Sequence, residues 1–401
     1  MDLNSVQNNK IIISPKDRVL CALRHEEPDR MPVDFLATPE IWDRLVDHFH
    51  PDVSAIESGE FFTPEREAVL RALDVDCRLL SYDTFCNPPK STLKPGAKVD
   101  WWESLARSTP NRMWRQEAPD HTFFDIWGHH TRTVQNTTGN YEEYASWPLA
   151  DASSVEELSR FAWPEPDWWD FSTLREAAQK VNPDHRHHLR FRSGTVFEGA
   201  WQLRGLEQFM VDLATDPDIA AYIMDRMTEI IVENTRRVLE TAGDQIDMIY
   251  FYDDVGAQEN LMISKAMWRR MIRPRHEKII AMAKSFGKSV MYHCDGAIYG
   301  LVDELINMGI DVLDPIQPNA KNMDPGRLKQ EFGGRLSFHG GIDIVHTLPH
   351  GTLEQVAAEV RDRVNVLGEN GGYILSSAHH IQSDTPLENV VEMYRLDLRQ
   401  R

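Results

Sequence analysis

The sequence predicts an α/β protein, a (βα)8 TIM-type barrel with a hairpin-containing insertion in its first half. Three observations carry that expectation. From Leu189 onward an apolar run, a polar run-end and a helical stretch follow one another six times, and strands alternating with helices at this spacing call for a parallel sheet. The polar run-ends hold an unusual share of His and Asp, and parallel barrels carry their chemistry at the carboxyl ends of their strands. Between about residues 87 and 163 the rhythm breaks into a segment rich in Trp, Thr, Pro and His that reads as β-hairpins. Residues 1–401 are expected to form one barrel domain carrying this insertion.

In chain order, Ser14-Pro15 starts a helix with Val19, Leu20 and Leu23 on its apolar face, ending near Glu26-Glu27-Pro28. Met31 to Leu36 is a short first strand with Asp34 at its mouth. Ile41 to Leu73 has helical spacing, and Cys77 to Tyr82 is a second strand. The insertion follows, its aromatics Trp101, Trp102, Trp114, Trp127 and Trp147 expected to pack rather than bind. Leu189 to Gly194 is a strand, and Val196 to Phe209 holds Glu198, Trp201, Arg204 and Glu207. Asp216-Pro217 caps a long helix stopped at Gly243. Strands are then expected at 247–252, 289–293, 312–317, 336–343 and 373–380, with helices from Ser264 through Ala283, Ile298 to Leu305, around Pro325 to Phe332, and Leu353 to Leu367.

Composition excludes several classes. With 41% hydrophobic residues among 401, the chain can bury a large core. A formal charge of -20 opposes nonspecific binding to nucleic acid or anionic membrane. The four cysteines, Cys21, Cys77, Cys86 and Cys294, form no CxxC pair, which argues against a disulfide framework or zinc knuckle and for a cytoplasmic setting. Met1 to Lys10 is polar and lacks a signal-like apolar core, and no apolar run approaches the roughly 20 residues that span a bilayer. A small-molecule substrate is the expectation.

The strand ends collect Asp34, Arg192, Asp253, Asp254, His293, Asp295, Asp314, Gln317, His339, Asp343, His379 and His380. Each has a plain structural role open to it, such as capping a helix. Together they admit three readings. His293, Asp295 and His379 supply two imidazoles and a carboxylate, a set suited to a divalent ion with open positions. Alternatively His379 and a carboxylate do acid/base work on a small acid held by Arg192 or Arg204. The third is a hydrogen-bonded rim on a binding protein. Cys294 alternates away from His293 and Asp295 and is expected to be a buried thiol.

The residues also carry a resemblance. Arg24 to Val33, Tyr252-Asp253-Asp254-Val255-Gly256-Ala257-Gln258, His293-Cys294-Asp295-Gly296, Asp314 to Pro318, His339-Gly340-Gly341-Ile342-Asp343 and Thr385 to Asn389 resemble the uroporphyrinogen decarboxylase superfamily, most closely its branch of cobalamin-linked methyltransferase-like proteins. The resemblance implies a single barrel and, in the methyltransferases, a zinc held by a His-x-Cys pair and a later Cys. Here the His is His293, while Asp295 and His379 stand at the two Cys positions. The expected metal is therefore zinc or a harder ion. His379 also matches a histidine of the decarboxylase, but the arginine-rich N-terminal motif that grips porphyrinogen is absent. The expected function is a demethylase component that moves a methyl group from a small methylated compound to a corrinoid. The chain lacks an Asp-x-His-x-x-Gly corrinoid stretch of its own, so a separate carrier protein is the expected partner; a homodimer is also a candidate. The alternative is a metal-free decarboxylase of a non-porphyrin acid. His379, Asp254 and His293 are the expected catalytic groups, and Asp34, Arg192, Arg204, Gln258 and His339 the expected substrate contacts.

Overall fold

The computed structural model describes residues 13–54, 56, 63–103, 112–135 and 140–395; the polar start Met1 to Lys10 lies outside them. Seven parallel strands form one sheet: β1 (Cys77–Ser81), β7 (His188–Gly194), β8 (Met248–Tyr252), β9 (Ser289–His293), β10 (Val312–Ile316), β11 (Ser337–Ile342) and β12 (Tyr373–Ser377), in that order. The eighth stave is the short Pro32–Asp34 segment. Its Asp34 N–H donates to Leu375 on β12 at 2.9 Å, Leu375 N–H donates back to Pro32 at 2.9 Å, and Val33 accepts from Asp76 just before β1 at 2.9 Å. The sheet thereby closes on itself, as the sequence predicts.

The amino end of the barrel is stoppered. Helix Pro15–Leu23 packs Val19 on Cys77 and Ile374, and Leu23 against Met248, Met291 and Val312. Its Arg18 reaches the buried Asp76 at 2.5 Å, and Arg30 meets the same carboxylate at 2.7 Å.

The insertion is a five-stranded antiparallel meander of β2 (Lys98–Glu103), β3 (Arg112–Glu117), β4 (Thr122–Asp125), β5 (His130–Gln135) and β6 (Asn140–Ser146). It docks on the barrel through aromatic edges. Trp127 Nε1 donates to Tyr82 Oη at 3.3 Å, and Tyr144 and Trp201 rings lie 6.1 Å apart. Trp114 and Trp127 are buried as expected, whereas Trp147 is 42% exposed.

The helical stretches differ in places from expectation. The Ser264–Ala283 stretch is Lys265–Met271 followed by Arg273–Ser285, because Pro274 has no N–H and its ring excludes a continuous turn. The Val196–Phe209 stretch, for which no element was expected, lies in two helices, Phe197–Arg204 and Leu206–Thr215, divided at Gly205, whose φ is +87°. Ile41–Leu73 is Pro39–Phe49 and Pro64–Ala72. The long helix Pro217–Ala242 follows Asp216, but the Asp216 side chain makes no capping bond. Among the described residues no helix is long and apolar enough to cross a membrane.

Candidate metal centre at the barrel mouth

β9 ends in His293, which is about nine-tenths buried. Its Nδ1 lies 2.8 Å from Asp314 Oδ2 on the neighbouring β10, so the ring is fixed with Nε2 turned toward the mouth. Nε2 lies 3.8 Å from Asp295 Oδ1 and 3.9 Å from Asp254 Oδ1. Asp295 Oδ2 in turn lies 3.7 Å from His379 Nε2, delivered by the turn after β12. One ligand atom from each of His293, Asp295 and His379 falls within 4.8 Å of the others, and among the described residues this is the one such set.

The donor set fits a divalent cation. The separations exceed hydrogen-bond length, leaving room for a shared centre. Asp295 Oδ1 is buried with no hydrogen-bond partner, a costly state that a cation relieves. Asp314 behind His293 is the carboxylate that metal-binding histidines commonly carry on their other nitrogen. Burial opposes charge on His293, but Asp314, Asp295 and Asp254 outweigh it and push the imidazole up to about 10. Burial pushes the Asp295 carboxyl upward despite His293 and His379. The same carboxylates that hold a proton on Nε2 favour a metal in its place.

Behind this centre runs a buried chain of alternating charge. Asp314 Oδ1 meets His339 Nδ1 at 2.6 Å, His339 Nε2 meets Asp34 Oδ2 at 2.9 Å, and Asp34 pairs with Arg190 of β7. Both nitrogens of His339 face carboxylates, so although burial opposes it, Asp314 and Asp34 raise its pKa and hold it as imidazolium. His339 and Asp34 are wholly buried, so the structure sets them beneath the mouth rather than in contact with a substrate. Strand alternation turns them into the barrel but does not report depth.

Arg204 is not at the mouth either. Its guanidinium pairs with Asp212 at 2.7 Å and bonds the Leu149 and Ala150 carbonyls, pinning the end of the insertion to the barrel. Gln258 lies on the rim, its amide donating to the Asn319 carbonyl. Asp254 holds the turn after β9 by accepting from Asp295 N–H at 2.8 Å. Asp253 is structural: it accepts from Thr195 Oγ1 at 2.8 Å and the Phe197 and Glu198 amides at 2.9 and 2.7 Å, and it pairs with His276. Cys294 is buried, and burial drives its thiol well above the usual range. Arg192 stays at the mouth, stacked 3.9 Å over Tyr252.

Glu198 joins the mouth and was not among the expected site residues. Burial, then Asp254 and Asp253, push its carboxyl up to about 8, so it carries a proton at neutral pH. Gln202 Nε2 donates to its Oε1 at 2.9 Å. The available signal was its place one turn beyond the Gly194 strand end. His380 meets His379 edge-on with ring centroids 4.6 Å apart, and burial first of all lowers its pKa well below the usual histidine range.

The family model described as Uroporphyrinogen decarboxylase (URO-D) matches residues 171–396. Over 194 residues the chain is 26% identical to a methylated-thiol–coenzyme M methyltransferase of Methanosarcina mazei, covering 48% of this chain and 48% of that relative. The matched stretch thus spans about half the length of the curated relative. A solved structure, a methyltransferase from Methanosarcina mazei, superposes with a TM-score of 0.60 and 17% identity over 95% of this chain and 97% of that one, a likeness of fold. The family match alone spans more than half of the 401 residues, and the chain belongs to the uroporphyrinogen decarboxylase family of barrel enzymes.

Proposed function

We propose that this enzyme is a methyltransferase component that takes a methyl group from a small methylated compound and passes it to a corrinoid carried by a partner protein. The observation that carries this reading is the His293, Asp295 and His379 cluster at the open end of the barrel. The name of the Methanosarcina mazei relative, an enzyme acting on methylated thiols, supports the same reaction class.

His293, Asp295 and His379 would hold a divalent ion, which supplies Lewis acidity toward the heteroatom bearing the methyl group. Asp314 fixes His293 in the orientation this requires. When the carbon–heteroatom bond breaks, its electron pair stays on the heteroatom, and Glu198 stands at the mouth with a proton to give it. Arg192 and Asp254 flank the same space and orient the substrate.

Metal content tests the reading, measured on protein purified without chelator or tag histidines. Near-stoichiometric metal in the wild type, lost in both His293→Ala and His379→Ala, is expected, together with methyl transfer from a methylated substrate to free cob(I)alamin. A wild type that stays metal-free after addition of zinc, manganese and iron would overturn the metal centre. Arg192 also favours a second reading, decarboxylation of a small acid, which release of CO2 by the metal-free protein would single out.

A further inference from the structure

A second cavity of about 190 Å3 lies between the antiparallel insertion and the barrel helix Phe197–Arg204. Trp114, Phe123 and Tyr144 give it aromatic walls, and Gln202, the hydrogen-bond partner of Glu198, contributes from the barrel side. An apolar cavity of about 150 Å3 takes up benzene, so there is room for one ring or a branched alkyl body with a short polar end.

The polar groups in its wall show which polar end. Glu142 Oε1 accepts from Thr133 Oγ1 at 2.7 Å, but Glu142 Oε2 is buried and has no partner. His129 is about nine-tenths buried, with Nδ1 on Asp125 Oδ2 at 2.8 Å, and its Nε2 also has no partner. Assigning the Nδ1 proton to the Asp125 contact leaves Nε2 as an acceptor. Two buried acceptors on lining residues therefore lack donors. The wall's one guanidinium, Arg115, is engaged: it pairs with Asp100 at 2.6 Å, lies 3.7 Å from Glu142 Oε1, leaving Oε2 unpartnered, and stacks on Phe123 with its centre 3.6 Å from the ring centroid. The carboxylates of Asp125 and Glu142 both lie in this wall. Carboxylates and aromatic faces together stabilise an organic cation.

We propose that this cavity binds a small primary ammonium compound, its N–H groups donating to Glu142 Oε2 and His129 Nε2 and its apolar body lying against Trp114 and Tyr144. The proposal stands apart from methyl transfer, because binding is read without turnover.

Calorimetric titration of the full chain, freed of metal by chelator, tests it with benzylammonium, phenethylammonium and butylammonium as probes. At least one is expected to bind, with benzyl alcohol and benzoate weaker by about tenfold or more, and Glu142→Gln is expected to weaken the ammonium by a similar factor. Benzoate binding as tightly as benzylammonium to the wild type would overturn the proposal without recourse to any variant. So would silence from all three ammonium probes at millimolar concentration, or unchanged affinity in a Glu142→Gln protein whose circular dichroism matches wild type. A failed metal assay with a positive ammonium titration would sink the methyl-transfer reading and leave this one standing.

Discussion

His293 has one nitrogen on Asp314 and the other facing Asp295, and that division of labour makes its behaviour measurable. Asp314→Asn should lower metal affinity by about 10–100-fold in a chelator competition, while metal content at saturation survives. Because the imidazole is pushed up to about 10, metal must displace a proton, and apparent affinity should rise with pH toward that value. The sign for stability is opposite. With the folded value above the ordinary 6.5, the metal-free protein has this contribution in full below about 6.5 and loses it as pH climbs through about 10. His293, Asp295 and His379 were legible in the sequence because each ends or follows a strand. Glu198 was not, because it sits on a helix whose first turn is brought to the mouth only by the Asp253 carboxylate gathering its amides.

The turn after β8 and the turn after β9 are built against each other. A methyl group added at Gly256 would stand 2.3 Å from the Asp295 carbonyl and 2.8 Å from Ile298. Gly256→Ala should therefore push the Asp295 turn away and cut metal occupancy in the loading assay, though no metal ligand is changed. A melting temperature that falls with no loss of metal would show that the two turns move together. The strands at 189–194, 289–293 and 312–316 could be placed from sequence because an apolar run bounded by polar ends has few alternatives. The helix expected over Ser264–Ala283 was placed too long, because Pro274 interrupts it. Arg204 illustrates the limit: its partner Asp212 is eight residues away, but the Leu149 and Ala150 carbonyls it also binds come from the end of the insertion, a docking that strand and helix patterning cannot report.

Across the whole barrel, the chain from Arg190 through Asp34, His339 and Asp314 to His293 ties together the closing segment and four strands, β7, β11, β10 and β9. Asp34→Asn would leave Arg190 and the imidazolium of His339 buried without their shared carboxylate. A loss of about 3–5 kcal/mol is expected in a denaturant titration. Burial opposes ionisation of Asp34, but Arg190 and His339 hold its pKa down at about 2. Its contribution is therefore present above the ordinary 3.8 and is lost as pH falls toward 2, so acid unfolding of the wild type should begin there and be blunted in Asp34→Asn. The barrel and its first strand were legible in the sequence, but not how short that strand is, since Pro32–Asp34 pairs through only a few backbone bonds. The helix Pro15–Leu23 that fills the amino end has one more consequence. On the proposed methyl-transfer reading, a small molecule bound for His293 and a carrier protein collecting its methyl group would have to use the same doorway. Carrier docked early would shut the small molecule out, so turnover should fall at high carrier concentration, and raising the small molecule should restore it.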